Sequence, residues 1–244
     1  MTGTDRRDLQ GSTIAITGAT SGIGRSLARE LVKVGANVVV GGRRANRIQD
    51  LVAELGPACA VGLSCDVRLP EDNRRLVNLA METFGRLDSF VANAGGGAYG
   101  SILDYTDGQL TEMVETNFLG TVWGVRAAVP MMLETGGDII VISSVAGLRG
   151  GGNEAVYAAT KFAQVGLAGA IDRELREKGI RVSTICPAAV RTEFALGFGR
   201  TEGDEWLEQV LRPEDVAAAV VTVLSQPRRM RTQLWSMWSM TEGS

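Results

Sequence analysis

What most restricts the fold of this chain is a regular alternation. Six short runs rich in valine, isoleucine and alanine punctuate it: "STIAIT" (12–17), "ANVVVGG" (36–42), "CAVGLSC" (59–65), "LDSFVANAG" (87–95), "GDIIVISS" (137–144) and "IRVSTICP" (180–187). Longer amphipathic stretches lie between them. Apolar runs bounded by turn residues are strands buried on both faces, and the helices between them supply the cover. The fold class that satisfies this pattern is α/β, a doubly wound parallel sheet of Rossmann-like form. One domain over residues 1–244 is expected, since no linker, low-complexity run or shorter repeat interrupts the alternation. The glycine-rich segments 95–100 and 147–152 each follow a strand, at the carboxyl edge where such sheets bind ligands. Residues 195–212 lack strong periodicity, precede a helix opened by Pro213, and are expected to form a lid over substrate.

Composition removes several chemistries. The chain has no histidine, which excludes a Ser-His-Asp triad, an HExxH zinc site and a histidine base. Acid–base work falls to Tyr, Lys, Asp, Glu or Cys. Cys59, Cys65 and Cys186 form neither a CxxC pair nor an even framework, so a reducing compartment and no metal site are expected. A net charge of −3 gives a nucleic-acid partner no electrostatic support. No run approaches the ~20 apolar residues that cross a bilayer, and residues 1–12 hold no apolar signal segment. A cytoplasmic location and no membrane partner are the expectation.

The first strand leads into "ITGATSGIGRSLARELVKVGA", whose helical part sets Leu27, Leu31 and Val34 on one face. Gly18, Gly22 and Gly24 form a G-x-x-x-G-x-G loop, wider than GxGxxG but meeting the same need: a tight turn, close backbone approach to a pyrophosphate, and N–H groups at a helix start. Three glycines also suit a merely structural turn; their place after the first strand favours dinucleotide binding. An acid ~20 positions on would bind the ribose 2′-OH of NAD. Here the second strand ends "VVVGGRRANR", with Arg43 and Arg44 where that acid would stand. Guanidinium groups suit a 2′-phosphate, so NADP(H) is the preferred cofactor and NAD(H) a possible one, the alternative being arginines that merely face solvent.

In "AVYAATKF", Tyr157 and Lys161 stand one helical turn apart, on one face. With three tyrosines and three lysines in 244 residues, chance gives such a spacing at roughly 4%, so the pair needs support from elsewhere.

That support is an ordered set of motifs. "TGATSGIG", "CDV", "NAG", Asn117, "ISS", "YAATK" and the Pro187 turn together resemble the short-chain dehydrogenase/reductase family, in its compact one-domain branch, over residues 12 to about 192. The resemblance implies that Gly18, Ser21, Ile23 and Gly24 line a pyrophosphate, that Asp66 and Val67 flank the adenine, and that Asn93 and Gly95 support the cofactor and the central strand. Val190 and Thr192 would hold the nicotinamide carboxamide. The implied catalytic set is Asn117, Ser144, Tyr157 and Lys161. Ser144 is chosen over Ser143 because it precedes the "VAG" turn and lies thirteen positions before the tyrosine; Ser143 would point to the opposite sheet face.

In the mechanism this implies, Lys161 lowers the tyrosine's pKa from about 10 towards the working pH. Tyr157 exchanges a proton with the substrate oxygen while hydride moves to or from the nicotinamide, Ser144 steadies that oxygen, and Asn117 holds a water that relays protons from Lys161. The expected substrate is a small ketone, aldehyde or secondary alcohol, mildly apolar or aromatic, bordered by Gly96, Gly97, Tyr99, the 148–153 loop, Ala189 and residues 194–206. A non-catalytic dinucleotide-binding sensor or scaffold is the competing class, which the four intact catalytic positions disfavour. Two departures stand out: Pro187 is followed by alanine where the family frequently has glycine, and the chain ends "RTQLWSMWSMTEGS" without the frequent glycine-acid signature. Trp235, Met237 and Trp238 are nevertheless expected to form a last strand that buries against a partner in a homo-oligomer, tetramer or dimer.

Overall fold

A computed structural model describes residues 5–243, so the single domain expected over 1–244 is described within those bounds. Seven strands form one parallel sheet: β1 (Thr13–Thr17), β2 (Asn37–Gly42), β3 (Ala60–Ser64), β4 (Ser89–Ala92), β5 (Gly137–Ile142), β6 (Ile180–Pro187) and β7 (Leu234–Met237), in the order β3-β2-β1-β4-β5-β6-β7. The order reverses between β1 and β4, and the carboxyl ends of these two strands therefore open the crevice where such sheets take ligands.

Strand periodicity divides the core in two. Ile14, Ile16, Val38, Val40, Val91, Ile140 and Ile185 face one way, onto α1 (Gly22–Lys33), α2 (Ala45–Leu55) and α7 (Pro213–Leu224). Ala15, Val39, Phe90, Ile139, Val141 and Val182 face the other, onto α3 (Pro70–Phe84), α5 (Gly120–Met132) and α6 (Ala155–Leu175). Both faces are covered, which is why the strands read as unbroken apolar runs. Helix boundaries follow local chemistry. Pro70 with Glu71 and Asp72 opens α3, and Gly85, at φ 71°, closes it in the left-handed region. Pro213 opens α7 as expected, with Asp215 accepting the Arg212 N–H at 2.7 Å.

α4 (Asp107–Val114) does not end in a loop. It runs through a π-turn over Glu115–Leu119 straight into α5, and Asn117 sits in that turn. Beneath the strands' amino ends, Asp138 is almost wholly buried and accepts from Arg181 Nε at 2.6 Å and Arg7 Nη1 at 2.8 Å, joining β5, β6 and the N-terminal segment. The last strand forms where expected, but Trp235 and Met237 pack on this chain's own core and Leu234 faces outward. Among the described residues no helix is long and apolar enough to cross a membrane.

Candidate active site

At the carboxyl edge of the sheet lies a cavity of about 1260 Å³, larger than the ~300–1,000 Å³ of a pocket for one drug-sized ligand. It gathers Gly18, Ser21, Gly22, Ile23, Arg43, Arg44, Asp66, Val67, Asn93, Gly95, Ser144, Tyr157, Lys161, Pro187, Val190 and Thr192. Of the catalytic and cofactor-binding residues expected from sequence, Gly24 and Asn117 stand behind its wall, and both support it.

The glycine loop is a cradle that side chains would fill. Gly18 and Gly22 adopt φ 67° and 52°, open to glycine at little cost. A Cβ on Gly24 would lie 2.5 Å from Asn93 Nδ2 and 2.6 Å from Gly18 O, so the loop can lie flat against the strand only without one. Asn93 fixes it there, Nδ2 donating to Thr17 O at 2.9 Å and Gly18 O at 3.2 Å. Ser21 occupies the N-cap of α1 and makes no side-chain cap bond, so that first turn's N–H groups lie at the cavity without a side-chain partner.

Two arginines rim the loop. Arg44 donates from Nη2 to Thr20 Oγ1 at 2.8 Å and Ser21 Oγ at 2.9 Å, and from Nη1 to Glu193 at 2.9 Å. Arg47 also binds Glu193, whose carboxyl the Arg44 and Arg47 guanidinium groups hold below its ordinary range. Arg43 pairs with Glu112 at 2.9 Å. Asp66 is engaged by Arg68, whose hydrogen bonds lower its pKa.

The deep end holds Ser144, Tyr157 and Lys161, each at most 8% exposed. Ser144 caps a short turn after β5, accepting the Ala146 N–H at 3.1 Å, and Tyr157 and Lys161 rise one above the other on α6. Burial pushes the Tyr157 phenol well above its ordinary range; Tyr99 and Glu154 add to this, while the Ser144 hydroxyl and the Arg200 charge oppose it. Burial also brings Lys161 down to about 8. The expected lowering of the tyrosine by the lysine is therefore not found: the ammonium lies 5.6 Å from the ring centroid, and its hydrogen bonds run to Ile142 O at 3.2 Å and Gln164 Oε1 at 3.0 Å. Desolvation is the largest influence on the phenol, and the lysine is not among the groups that act on it.

Asn117 is wholly buried behind the cavity wall. Its side chain is spent on structure, Oδ1 accepting from Gly96 N and Nδ2 donating to Gly96 O, both at 2.8 Å, and to Thr160 Oγ1 at 3.0 Å. Gln164 links Asn117 to Lys161: its Nε2 donates to Asn117 O and to Thr121 Oγ1 at 2.8 Å while its Oε1 holds Lys161. Ser143, expected to face away, donates to Lys161 O at 3.1 Å.

The outer wall carries Tyr99, Phe194, Trp206 and Trp238, with Arg149, Glu154, Arg200 and Glu242. Gly96, Gly97, Ala189 and part of the 148–153 loop line it as expected. Sequence reasoning missed Gln164, and gave Arg200 no role beyond its place in the 194–206 border. For Gln164 a signal existed, a polar residue three after Lys161 in an otherwise apolar run, "KFAQVGLAGA". For Arg200, in an aperiodic segment, there was none.

Comparison with known proteins agrees with this geometry. The sequence profile of the short chain dehydrogenase family matches residues 12–202. An uncharacterised oxidoreductase of Staphylococcus aureus is 32% identical over 216 residues, 88% of this chain and 91% of the relative. Among solved structures, an alcohol dehydrogenase from the archaeon Thermococcus sibiricus, complexed with 5-hydroxy-NADP, superposes with a TM-score of 0.87 at 27% identity, covering 96% of this chain and 98% of that one. A short chain dehydrogenase/reductase from Burkholderia phymatum, in complex with NAD, gives 0.83 at 27% identity, covering 93% and 89%.

Proposed function

Because the chain belongs to the short-chain dehydrogenase/reductase family of oxidoreductases, we propose that it interconverts a ketone or aldehyde and the corresponding alcohol by hydride transfer, with Tyr157 as the acid/base. One observation carries this reading. Tyr157 and Ser144 are buried side by side at the deep end of a cavity whose other end is the glycine cradle. The cradle would hold a nicotinamide dinucleotide through Gly18, Ser21, Gly22 and Ile23, with Asp66 and Val67 beside the base and Val190 and Thr192 at the far end. When bound, that group supplies or accepts the hydride.

The protein's own part is proton transfer and positioning. A phenol held above its ordinary range is protonated at neutral pH, so Tyr157 stands ready to donate to a carbonyl oxygen. Ser144 donates to the same oxygen as charge develops there. Lys161, near 8, carries a proton that it can give up close to the working pH. Gln164 and Ile142 O fix its ammonium, and Asn117 holds Gly96 and, through Gln164, the lysine.

NADP(H) is the cofactor this reading prefers. Arg43 and Arg44 stand at the end of β2, beside the cradle, where a 2′-phosphate would need charge-assisted bonds. Residues 195–212 would act as a lid, tied to the cradle by Arg44 and Arg47 through Glu193 just before it. The whole chain serves as one domain and assembles as a homo-oligomer, for which the outward Leu234 beside the free edge of β7 offers a surface.

Titration of the purified protein with NADPH and NADH, read by tryptophan quenching, tests the reading. Selective binding of NADPH followed by its oxidation with a carbonyl substrate is expected; binding of neither cofactor would reduce the cradle to a structural turn.

A further inference from the structure

Arg200 is a buried cation without a counter-ion. It is 7% exposed and forms part of the wall of the cavity that holds Tyr157. No carboxylate among the described residues pairs with it; its hydrogen bond runs from Nη1 to Val190 O at 3.1 Å, and its Nε, also buried, donates to nothing. Aromatic faces surround it, the guanidinium carbon lying 5.5 Å from the Tyr99 ring centroid, 5.6 Å from Phe194 and 5.3 Å from Trp206. Cation–π attraction offsets part of the desolvation, but a charge this far from water still lacks its opposite.

The placement is built rather than incidental. Residues 195–200 close on themselves, Arg200 N donating to Ala195 O at 3.1 Å and Gly197 N to Arg200 O at 3.0 Å. Tyr99 N donates to Phe198 O at 2.9 Å, and Gly199, at φ 97°, seats so closely that a Cβ would lie 2.6 Å from that of Tyr99. The tyrosine and phenylalanine rings that flank the guanidinium are the same rings that flank Tyr157, with centroids 6.2 Å and 5.5 Å from its own. The cation therefore lies one aromatic ring from the phenol, and its charge already acts on it.

We propose that Arg200 binds a carboxylate of the substrate, so that the enzyme acts on oxo acids and hydroxy acids rather than on neutral ketones and alcohols. A guanidinium whose Nη1 is committed to Val190 O and whose Nε is sealed from the cavity offers Nη2 to one oxygen of a planar monoanion. Glu154 and Glu242 in the same wall, offset only in part by Arg149, oppose a dianion such as a phosphate ester more than a monoanion. This assignment rests on the reading of Tyr157 as the acid/base that meets the carbonyl.

The test compares acids with their esters. Acetoacetate, 4-oxopentanoate and 5-oxohexanoate are each assayed beside their methyl esters for oxidation of NADPH and of NADH, and 4-oxopentanoate binding is measured by calorimetry with the cofactor present. The unmodified protein is expected to favour at least one acid over its ester by at least tenfold in kcat/KM. Arg200→Met removes that preference, kcat/KM for the acid falling at least tenfold further than for the ester, and Arg200→Lys restores part of it; thermal melts and cofactor affinity show that both variants fold. Equal losses for acid and ester in Arg200→Met, with both variants folded, would make Arg200 a loop anchor and overturn the proposal, as would an unmodified protein that prefers esters or binds no 4-oxopentanoate. Carboxylate binding that needs Arg200, without turnover of any carbonyl compound, would uphold the anion site and refute the acid/base reading instead.

Discussion

Gln164 holds Lys161 from one side: the ammonium donates to Gln164 Oε1 at 3.0 Å, and the same amide, through Nε2, grips Asn117 O at 2.8 Å. An uncharged, wholly buried side chain thus links the lysine to the π-turn between α4 and α5. It orients both groups and sets how strongly the charged lysine is favoured.

Replacing that residue should move the pH dependence in opposite directions. Gln164→Leu removes an acceptor from the ammonium and should lower the alkaline limb of the reduction rate, with a stability loss of ~1–3 kcal/mol from the stranded polar groups. Gln164→Glu adds a charge beside Lys161 and should raise the limb. Profiles of kcat against pH check this; identical limbs in both variants would show that Lys161 does not govern the rate.

Lys161 also leaves a mark on stability. Its pKa falls from 10.5 to about 8 on folding, so between those values the unfolded chain binds the proton and the native state does not. The contribution of Lys161 should therefore rise with pH across this window, by ~2 kcal/mol from pH 8 to 10, as the cost of burying the charge disappears, while the buried Cys65, Cys186 and Tyr157, whose native pKa values are raised, act in the opposite direction. Lys161→Met removes that contribution, so between pH 8 and 10 the variant's stability in a denaturant-unfolding series should fall more steeply with pH than the original's.

Tyr157→Phe keeps the ring packed against Tyr99 and Phe194 but removes the proton. Turnover is expected to fall by ~10²–10⁴-fold, with NADPH affinity within about threefold of the original. Activity surviving at the original rate would remove Tyr157 from the mechanism.

Cofactor choice should follow the arginine rim. Arg43→Ala and Arg44→Ala are each expected to weaken NADPH by ~10-fold or more while changing NADH by less than about threefold. Glu193→Gln, which releases Arg44 from an ion pair, should strengthen NADPH. Equilibrium titrations with both nucleotides decide, and equal losses for the two would refute a 2′-phosphate contact.

Far from the cavity, Asp138→Ala should cost ~3–5 kcal/mol, since it leaves the buried Arg181 guanidinium without its carboxylate. Chemical denaturation measures the loss directly. Nucleotide affinity in the folded fraction should hold, because Asp138 lies at the opposite end of the sheet.

Topology and most of the cavity were legible because local signals carried them. Strands buried on both faces leave unbroken apolar runs such as "NVVV", and Gly18, Gly22 and Pro213 mark turns that other residues fit poorly. What was not legible depends on approach in three dimensions. Whether Lys161 or burial governs Tyr157 turns on a few ångströms of packing. Arg200 becomes a cavity residue only because an aperiodic loop folds back onto Tyr99. Trp235 and Met237 read as interface rather than core, since a lone sequence cannot say whose apolar face they meet; both pack, half-buried, on the chain's own core.

The π-turn at Glu115–Leu119 makes segment length itself a setting of the site. Such a turn carries one residue beyond the α-helical repeat, and each residue of an α-helix advances the direction of its side chains by about 100°. Deleting a single residue there would let α4 and α5 fuse into one regular rod, swinging Met113 off the cavity wall and taking Asn117 O out of line with Gln164. Gene variants that lose one codon in this stretch would thus loosen the hold on Lys161 and reshape the Met113 side of the cavity together, with Ser144, Tyr157 and Lys161 all unchanged in sequence.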